Sequence, residues 1–285
     1  CFYGSGLYDQ GRYRICILLL INGLRKAIDT NCPLSIPGCT ISGIGELYLY
    51  LVTMRMKIGG LLLLAGVINC YQIRAQGVYG LKTISSMTEY RALVNDDPRQ
   101  AIVPLVPFIP GIRLDIRYAT ANNLMHRPVY TLRAAFLRRP AAEALKAVEE
   151  ELQPLGYGLK VFDGYRPYRV TVAFYEAYHD SNFVASPYTG SRHNRGCAVD
   201  LTLIYLKTGK EPVMPTVYDS FTKEAAADFA GATPAALQNR QLLQKVMLKH
   251  GFVIYPSEWW HFDFGGWKDY PVMDIPFEEL IKKIN

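Results

Sequence analysis

Cysteine is scarce where it would matter in this 285-residue chain. Five of the six (Cys1, Cys16, Cys32, Cys39 and Cys70) precede residue 76, and Cys197 alone follows. That excludes a disulfide framework and a cysteine zinc cluster from the later part of the chain. Basic excess is equally thin there. The whole chain carries a formal net charge of +6, but beyond residue 75 there are 24 basic residues against 22 acidic ones. No basic stripe with interleaved aromatics occurs, so nothing points to a nucleic-acid partner. The apolar run from Ile58 to Ile68 is about 11 residues long, against the roughly 20 that a membrane helix needs.

What is present is enough apolar material for a core: half of the residues are hydrophobic, and this length accommodates one large domain. The stretch "MRMKIGGLLLLAGVINCYQIRAQG" has Arg55 and Lys57, then the short apolar run, then the small residues Ala75 and Gly77. Positive start, apolar middle and small-residue end are the parts of a secretory signal peptide, here 54–77. Residues 1–53 open on Cys1 and show no sustained period; we read them as a non-native upstream extension, with the true start at Met54 or Met56. The working domain is then 78–285, with a secreted or periplasmic location and no membrane span in the mature form.

Residues 78–112 contain Pro98, Pro104, Pro107 and Pro110, which predicts an extended wrap rather than a helix. "RPAAEALKAVEEELQPLG" predicts a helix, with Pro140 in its first turn, Leu145, Val148 and Leu152 on one face and Gly156 as its stop. "LKVF" reads as a strand, a helix is expected near Val170 to Tyr178, and "AVDLTLIYL" alternates as a strand. A last helix is expected from Pro234 to His250, capped by Thr233 and Gly251, with Leu237, Leu243, Val246 and Met247 buried. "FVIY" and "HFDF" then read as strands. Helices and strands mix without a regular βαβ alternation, which predicts a single α+β domain.

Among five histidines, His126, His179 and His250 have no partners in sequence that set them apart. His193 and His261 have acidic company, Asp200 seven residues after the first and Glu258 three residues before the second. A catalytic zinc takes three protein ligands from histidine and carboxylate and keeps one position open. His193, Asp200 and His261 supply that count, and Glu258 would remain to take a proton from water. Residues three apart share one side of a turn but not of a strand, so "EWWH" is expected to be a turn. Residue types and spacing alone leave a metal site and an ordinary polar loop both open.

The motifs together resemble a family. The pattern S-x-H-x-x-G-x-A-x-D stands as Ser191, His193, Gly196, Ala198 and Asp200, and E-W-W-H as Glu258, Trp259, Trp260 and His261. With "LDIRYATANNL" at 114–124 and "DGYRP" at 163–167, the chain resembles the VanX-type D-alanyl-D-alanine dipeptidases among the zinc D,D-peptidases, over roughly residues 100–270. The resemblance implies a central antiparallel sheet flanked by helices, of the hedgehog/D,D-peptidase kind. It implies one Zn2+ per chain on His193, Asp200 and His261, Glu258 as general base and then acid, and Arg166 as the cation steadying the oxyanion. Tyr118 and Ser191 match substrate-contacting positions. Asp219, in "MPTVYD", falls where the family sets a carboxylate against the substrate ammonium, although Pro215 stands where the family has glycine. The implied substrate is the small dipeptide D-Ala-D-Ala. A D,D-carboxypeptidase acting on stem peptides and a non-catalytic zinc-binding module are the rival readings. Cys197, between two implied ligands, reads as a buried inert thiol, and the two tryptophans read as packing around the metal.

Overall fold

The structure, a computed structural model, describes residues 79–178 and 184–282. The expected upstream extension (1–53) and signal peptide (54–77) lie outside the described residues, as does His179. The described residues all fall within one compact unit, Gly66–Asn285.

Its helices are α1 (Met87–Asp96), α2 (Leu105–Phe108), α3 (Arg139–Leu152), α4 (Tyr168–Tyr178), α5 (Pro234–Lys249) and α6 (Phe277–Ile281). Its strands are β1 (Ile102–Pro104), β2 (Arg113–Leu114), β3 (Phe136–Arg138), β4 (Tyr157–Asp163), β5 (Ala198–Tyr205), β6 (Phe252–Ile254) and β7 (His261–Phe264). Five strands form one sheet in the order β2-β4-β5-β7-β6, and β1 pairs with β3 in a separate ribbon. The architecture is α+β as expected, but the sheet is mixed rather than purely antiparallel, because β2 runs parallel to β4. Parallel neighbours need a long crossover, and here α3 lies within the connection from β2 to β4.

Helix α3 forms where its apolar stripe predicts. Ala141, Ala142, Leu145, Val148 and Leu152 are fully buried, each large side chain contributing about 1.5–3 kcal/mol of apolar burial. A 3-10 turn follows, and Gly156, at φ +83°, stops it. Helix α5 starts as its cap predicts, the Thr233 hydroxyl accepting from the Ala236 N–H at 3.3 Å. Its buried face is rotated from the expected one: Ala236 and Arg240 are buried with Leu243, Val246 and Met247, while Leu237 is half-buried. The Arg240 guanidinium makes this possible by donating to the Phe229 carbonyl at 2.7 Å.

The lead-in differs from the extended wrap expected of it. Helix α1 occupies ten of its residues, opened by a capping box in which Ser86 and Glu89 cap each other's backbone. All four prolines stand after this helix, so they end it rather than forbid it. Between Pro98 and Pro104 the chain is extended in β1, where the Ile102 N–H donates to the Tyr90 hydroxyl of α1 at 2.8 Å, and the short helix α2 takes up Pro107. Arg138, fully buried, ties the same region together: its guanidinium donates to the carbonyls of Gln100, Arg195 (2.8 Å) and Pro271 (3.3 Å).

Candidate active site

Strand register assembles the centre of the site. Asp163 on β4 lies opposite Asp200 on β5, and Asp200 lies opposite His261 on β7. Three residues far apart in sequence thus form one row across three neighbouring strands. A register irregularity between Val161 and Asp163 brings Asp163 into that row, as a bulge re-aims a side chain.

His193 reaches the row from a 3-10 turn, His193–Arg195, that runs into β5. Gly196 closes this turn at φ +69°, so the motif's glycine is required by conformation; a Cβ there would also press on Ile102 Cδ1 at 2.6 Å and crowd the Arg138 backbone nitrogen at 3.3 Å. Asn194, fully buried, holds the turn in place. Its Oδ1 accepts from the Ser191 N–H at 2.7 Å, and its Nδ2 donates to the Arg166 carbonyl at 2.9 Å and to the Thr171 hydroxyl at 2.8 Å. Ser191 Oγ accepts from the His193 N–H at 3.2 Å.

His193, Asp200 and His261 are all buried, and they form the group able to hold a metal ion among the described residues. His193 Nε2 is 3.1 Å from His261 Nδ1 and 3.4 Å from Asp200 Oδ1, and His261 Nδ1 is 3.0 Å from that oxygen. Ligands at 2.0–2.1 Å in a tetrahedron stand about 3.3 Å apart, so the triangle has the right size for zinc.

Its chemistry fits too. The other nitrogen of each ring is engaged, His193 Nδ1 with the Gly164 carbonyl at 2.8 Å and His261 Nε2 with Asp263 Oδ1 at 3.1 Å. These contacts fix the tautomers and leave a lone pair on each inward nitrogen. Asp200 Oδ1 is buried with no hydrogen-bond donor, while Oδ2 accepts from the Tyr218 hydroxyl at 3.0 Å. Three electron-rich atoms so close together require a cation. Burial opposes the imidazolium of His261, but Asp200 and Asp263 outweigh it and push its pKa up to about 10. Burial likewise opposes the charge of Asp200, but the two imidazoles hold it well below the usual carboxylate range.

Glu258 sits in the turn expected of "EWWH". The His261 N–H donates to the Glu258 carbonyl at 3.3 Å, and Glu258 Oε2 is 3.6 Å from His261 Nδ1. Burial, reinforced by Asp200 and Asp219, pushes the Glu258 carboxyl up to about 7 although the imidazolium opposes it. The tryptophans pack as expected. Trp259 Nε1 donates to Thr216 Oγ1 at 2.9 Å, tying the turn to the loop of Asp219, and Trp260 meets the Tyr218 ring edge-on at 5.5 Å.

Arg166 enters from the other side. Its Nε and Nη2 donate to Asp163 Oδ2 at 3.0 and 2.8 Å, and its guanidinium lies 5.2 Å from the Tyr118 ring and 4.9 Å from the Phe174 ring. Asp163 Oδ1 accepts from the Tyr130 hydroxyl at 2.9 Å, so the arginine is held on a fully bonded carboxylate. Asp219 adopts φ +63°, a left-handed conformation that aspartate takes up more readily than most side chains. Its two oxygens accept from the Tyr118 hydroxyl at 3.2 and 3.1 Å. Burial first and the nearby Asp200 second push the Asp219 carboxyl up to about 6.

All eight residues singled out in the sequence line one cavity of ≈ 110 Å³. The sequence reading missed the groups that orient them: Asp163, Asn194, Tyr218 and Asp263. Asp163 stands inside the quoted "DGYRP" and Asp263 two residues after His261 in "HFDF"; Tyr218 and Asn194 carry no signal of their own. Cys197 is fully buried, and burial pushes its thiol up to about 12, so it stays protonated and outside the cluster.

The buried His-Asp-His triangle is a donor set that a divalent metal ion accepts, and a carboxylate of raised pKa stands beside it. Known proteins give the family: residues 99–282 match the D-ala-D-ala dipeptidase family of peptidases, and the chain belongs to this family of metallopeptidases. It is 32% identical over 180 residues to a D-alanyl-D-alanine dipeptidase of Escherichia coli (strain K12), covering 63% of this chain and 93% of the relative. Dipeptidases of the same description from Enterococcus faecalis (strain ATCC 700802 / V583) and Streptomyces coelicolor (strain ATCC BAA-471 / A3(2) / M145) are each 32% identical, over 189 and 193 residues. They cover 59% and 60% of this chain, and 90% and 93% of the relatives. No helix among the described residues is long and apolar enough to cross a membrane.

Proposed function

We propose that this chain hydrolyses D-Ala-D-Ala to two D-alanines, using one zinc ion held by His193, Asp200 and His261. The ion supplies the Lewis acidity that amide hydrolysis requires. Glu258, with its pKa near 7, takes a proton from the attacking water and passes it to the leaving amine, as suits a group poised at the working pH. Arg166, fixed by Asp163, faces the carbonyl oxygen as it gains charge and needs no reorganisation to do so. Asp219 receives the substrate's free ammonium, and Tyr118 and Ser191 shape the walls around it.

The observation that carries this reading is the placing of Asp219 in the same small cavity as the metal triangle. Only a substrate whose ammonium lies close to the scissile bond pairs both ends of such a site; a longer peptide leaves the Asp219 carboxylate without a cationic partner. The catalytic unit is residues 78–285, released by cleavage of a signal segment at 54–77 into a secreted or periplasmic location.

The test compares D-alanine release from free D-Ala-D-Ala and from an N-acylated tripeptide ending in D-Ala-D-Ala, using zinc-loaded protein. Cleavage of the dipeptide alone supports the dipeptidase. Preference for the acylated peptide makes the protein a carboxypeptidase, and cleavage of neither makes it a binding module.

A further inference from the structure

The cavity lining contains three carboxylates, Asp200, Asp219 and Glu258, and two guanidinium groups, Arg166 and Arg192. A dipeptide brings its own carboxylate into this acidic surrounding, and that charge needs a cation. Arg166 is poorly placed to supply it, since two of its nitrogens are already spent on Asp163 and its guanidinium is enclosed by Tyr118 and Phe174.

Arg192 is differently situated. Among the described residues its one carboxylate neighbour is Asp263, with Nε 3.5 Å from Oδ2, beyond the range of a good N–H···O bond. Asp263 directs its other oxygen, Oδ1, to His261. The Arg192 side chain is 40% exposed, yet it is held in place, its guanidinium 4.9 Å from the Trp267 ring and 6.0 Å from the Tyr255 ring. A guanidinium restrained by aromatic faces, with its donors still available, is suited to taking a carboxylate through two parallel bonds.

We propose that Arg192 binds the substrate's C-terminal carboxylate and sets specificity for a free acid at that end. The inference rests on the dipeptidase reading above, to which it adds the second charge pair: Asp219 reads the ammonium and Arg192 the carboxylate. The catalytic groups Glu258 and Arg166 then act on the amide between them.

The experiment measures KM and kcat for D-Ala-D-Ala and the inhibition constant of D-Ala-D-alaninamide, which keeps the ammonium and lacks the negative charge. It uses zinc-loaded wild type, Arg192→Ala and Arg192→Lys, with zinc affinity measured for each. Arg192→Ala is expected to raise KM for the acid about 10-fold or more, the lower end for a bond to a charged group because the site is partly open to water. The inhibition constant of the amide, kcat and zinc affinity should stay within about twofold, and Arg192→Lys should fall between. Equal weakening of acid and amide, a loss of zinc affinity, or an unchanged KM overturns the proposal. A wild-type protein that does not turn over D-Ala-D-Ala defeats the dipeptidase reading itself, and is seen before any variant is made.

Discussion

Asp219→Asn separates substrate selection from stability, because the two should move in opposite directions. The carboxylate is half-buried, held by the Tyr118 hydroxyl through both oxygens and pushed up to about 6 by burial and by Asp200. Its folded pKa lies above the ordinary 3.8, so the protonated form is the one the fold favours. The stabilisation associated with that proton is complete below the ordinary value and is lost as pH rises through about 6. A shift of this size corresponds to at most about 3 kcal/mol; partial exposure to the cavity and the Tyr118 contact, which an amide oxygen keeps, reduce it to about 1–2 kcal/mol. Metal-free Asp219→Asn should therefore be more stable than wild type at pH 8, and the advantage should shrink by roughly half at pH 5. Catalysis should suffer: losing one partner of a buried charge pair costs about 2–5 kcal/mol, so kcat/KM for free D-Ala-D-Ala should fall at least about 30-fold. An N-acylated peptide, with no ammonium to lose, should be handled no worse. Urea denaturation at the two pH values and steady-state kinetics on both substrates read these effects. A variant retaining kcat/KM for the free dipeptide within about threefold would refute the role given to Asp219.

Three further outcomes follow from the groups around the ligands. Asn194→Ala leaves the Ser191 N–H and the Arg166 carbonyl without a side-chain partner, and should lower unfolding free energy by about 2–3 kcal/mol in denaturant titrations. Asp263→Ala frees Nε2 of His261 and should weaken zinc binding about 10- to 100-fold in competition with a chelating dye; unchanged affinity would show that the contact does not orient the ring. Cys197, buried with its thiol pushed up to about 12, should react with thiol reagents in the native state only at the rate of unfolding, and rapid labelling would contradict its placement.

The parts of this molecule legible in the sequence are those fixed by local chemistry. Helix α3 was visible because its apolar stripe repeats at helical spacing and Gly156 ends it, and helix α5 because Thr233 caps it. The candidate ligands His193, Asp200 and His261 are legible because the motifs keep them at fixed distances along the chain. Strand register was not legible: the row Asp163, Asp200, His261 depends on pairings across β4, β5 and β7, and Asp163 joins it through an irregularity that no periodicity announces. The same limit hid Tyr218 and Asn194, whose partners stand up to 28 residues away in sequence. The lead-in departs from the extended wrap expected of it for a different reason. Its four prolines all follow Asp96, while the Ser86–Glu89 capping box that opens α1 is a local signal ahead of them. Leu237 gave way to Ala236 and Arg240 on the buried face of α5 because an arginine can be buried when carbonyl oxygens receive its donors.

In the proposed reaction the His-Asp-His triangle holds zinc while Glu258 moves the proton. Zinc stoichiometry and D-Ala-D-Ala turnover measured side by side on wild type and Glu258→Gln test it most directly. One zinc per chain is expected in both proteins, with a kcat lower by about 10²- to 10⁴-fold in the variant. Wild-type turnover in a zinc-loaded Glu258→Gln protein, or a wild-type protein that binds zinc without cleaving the dipeptide, would contradict it.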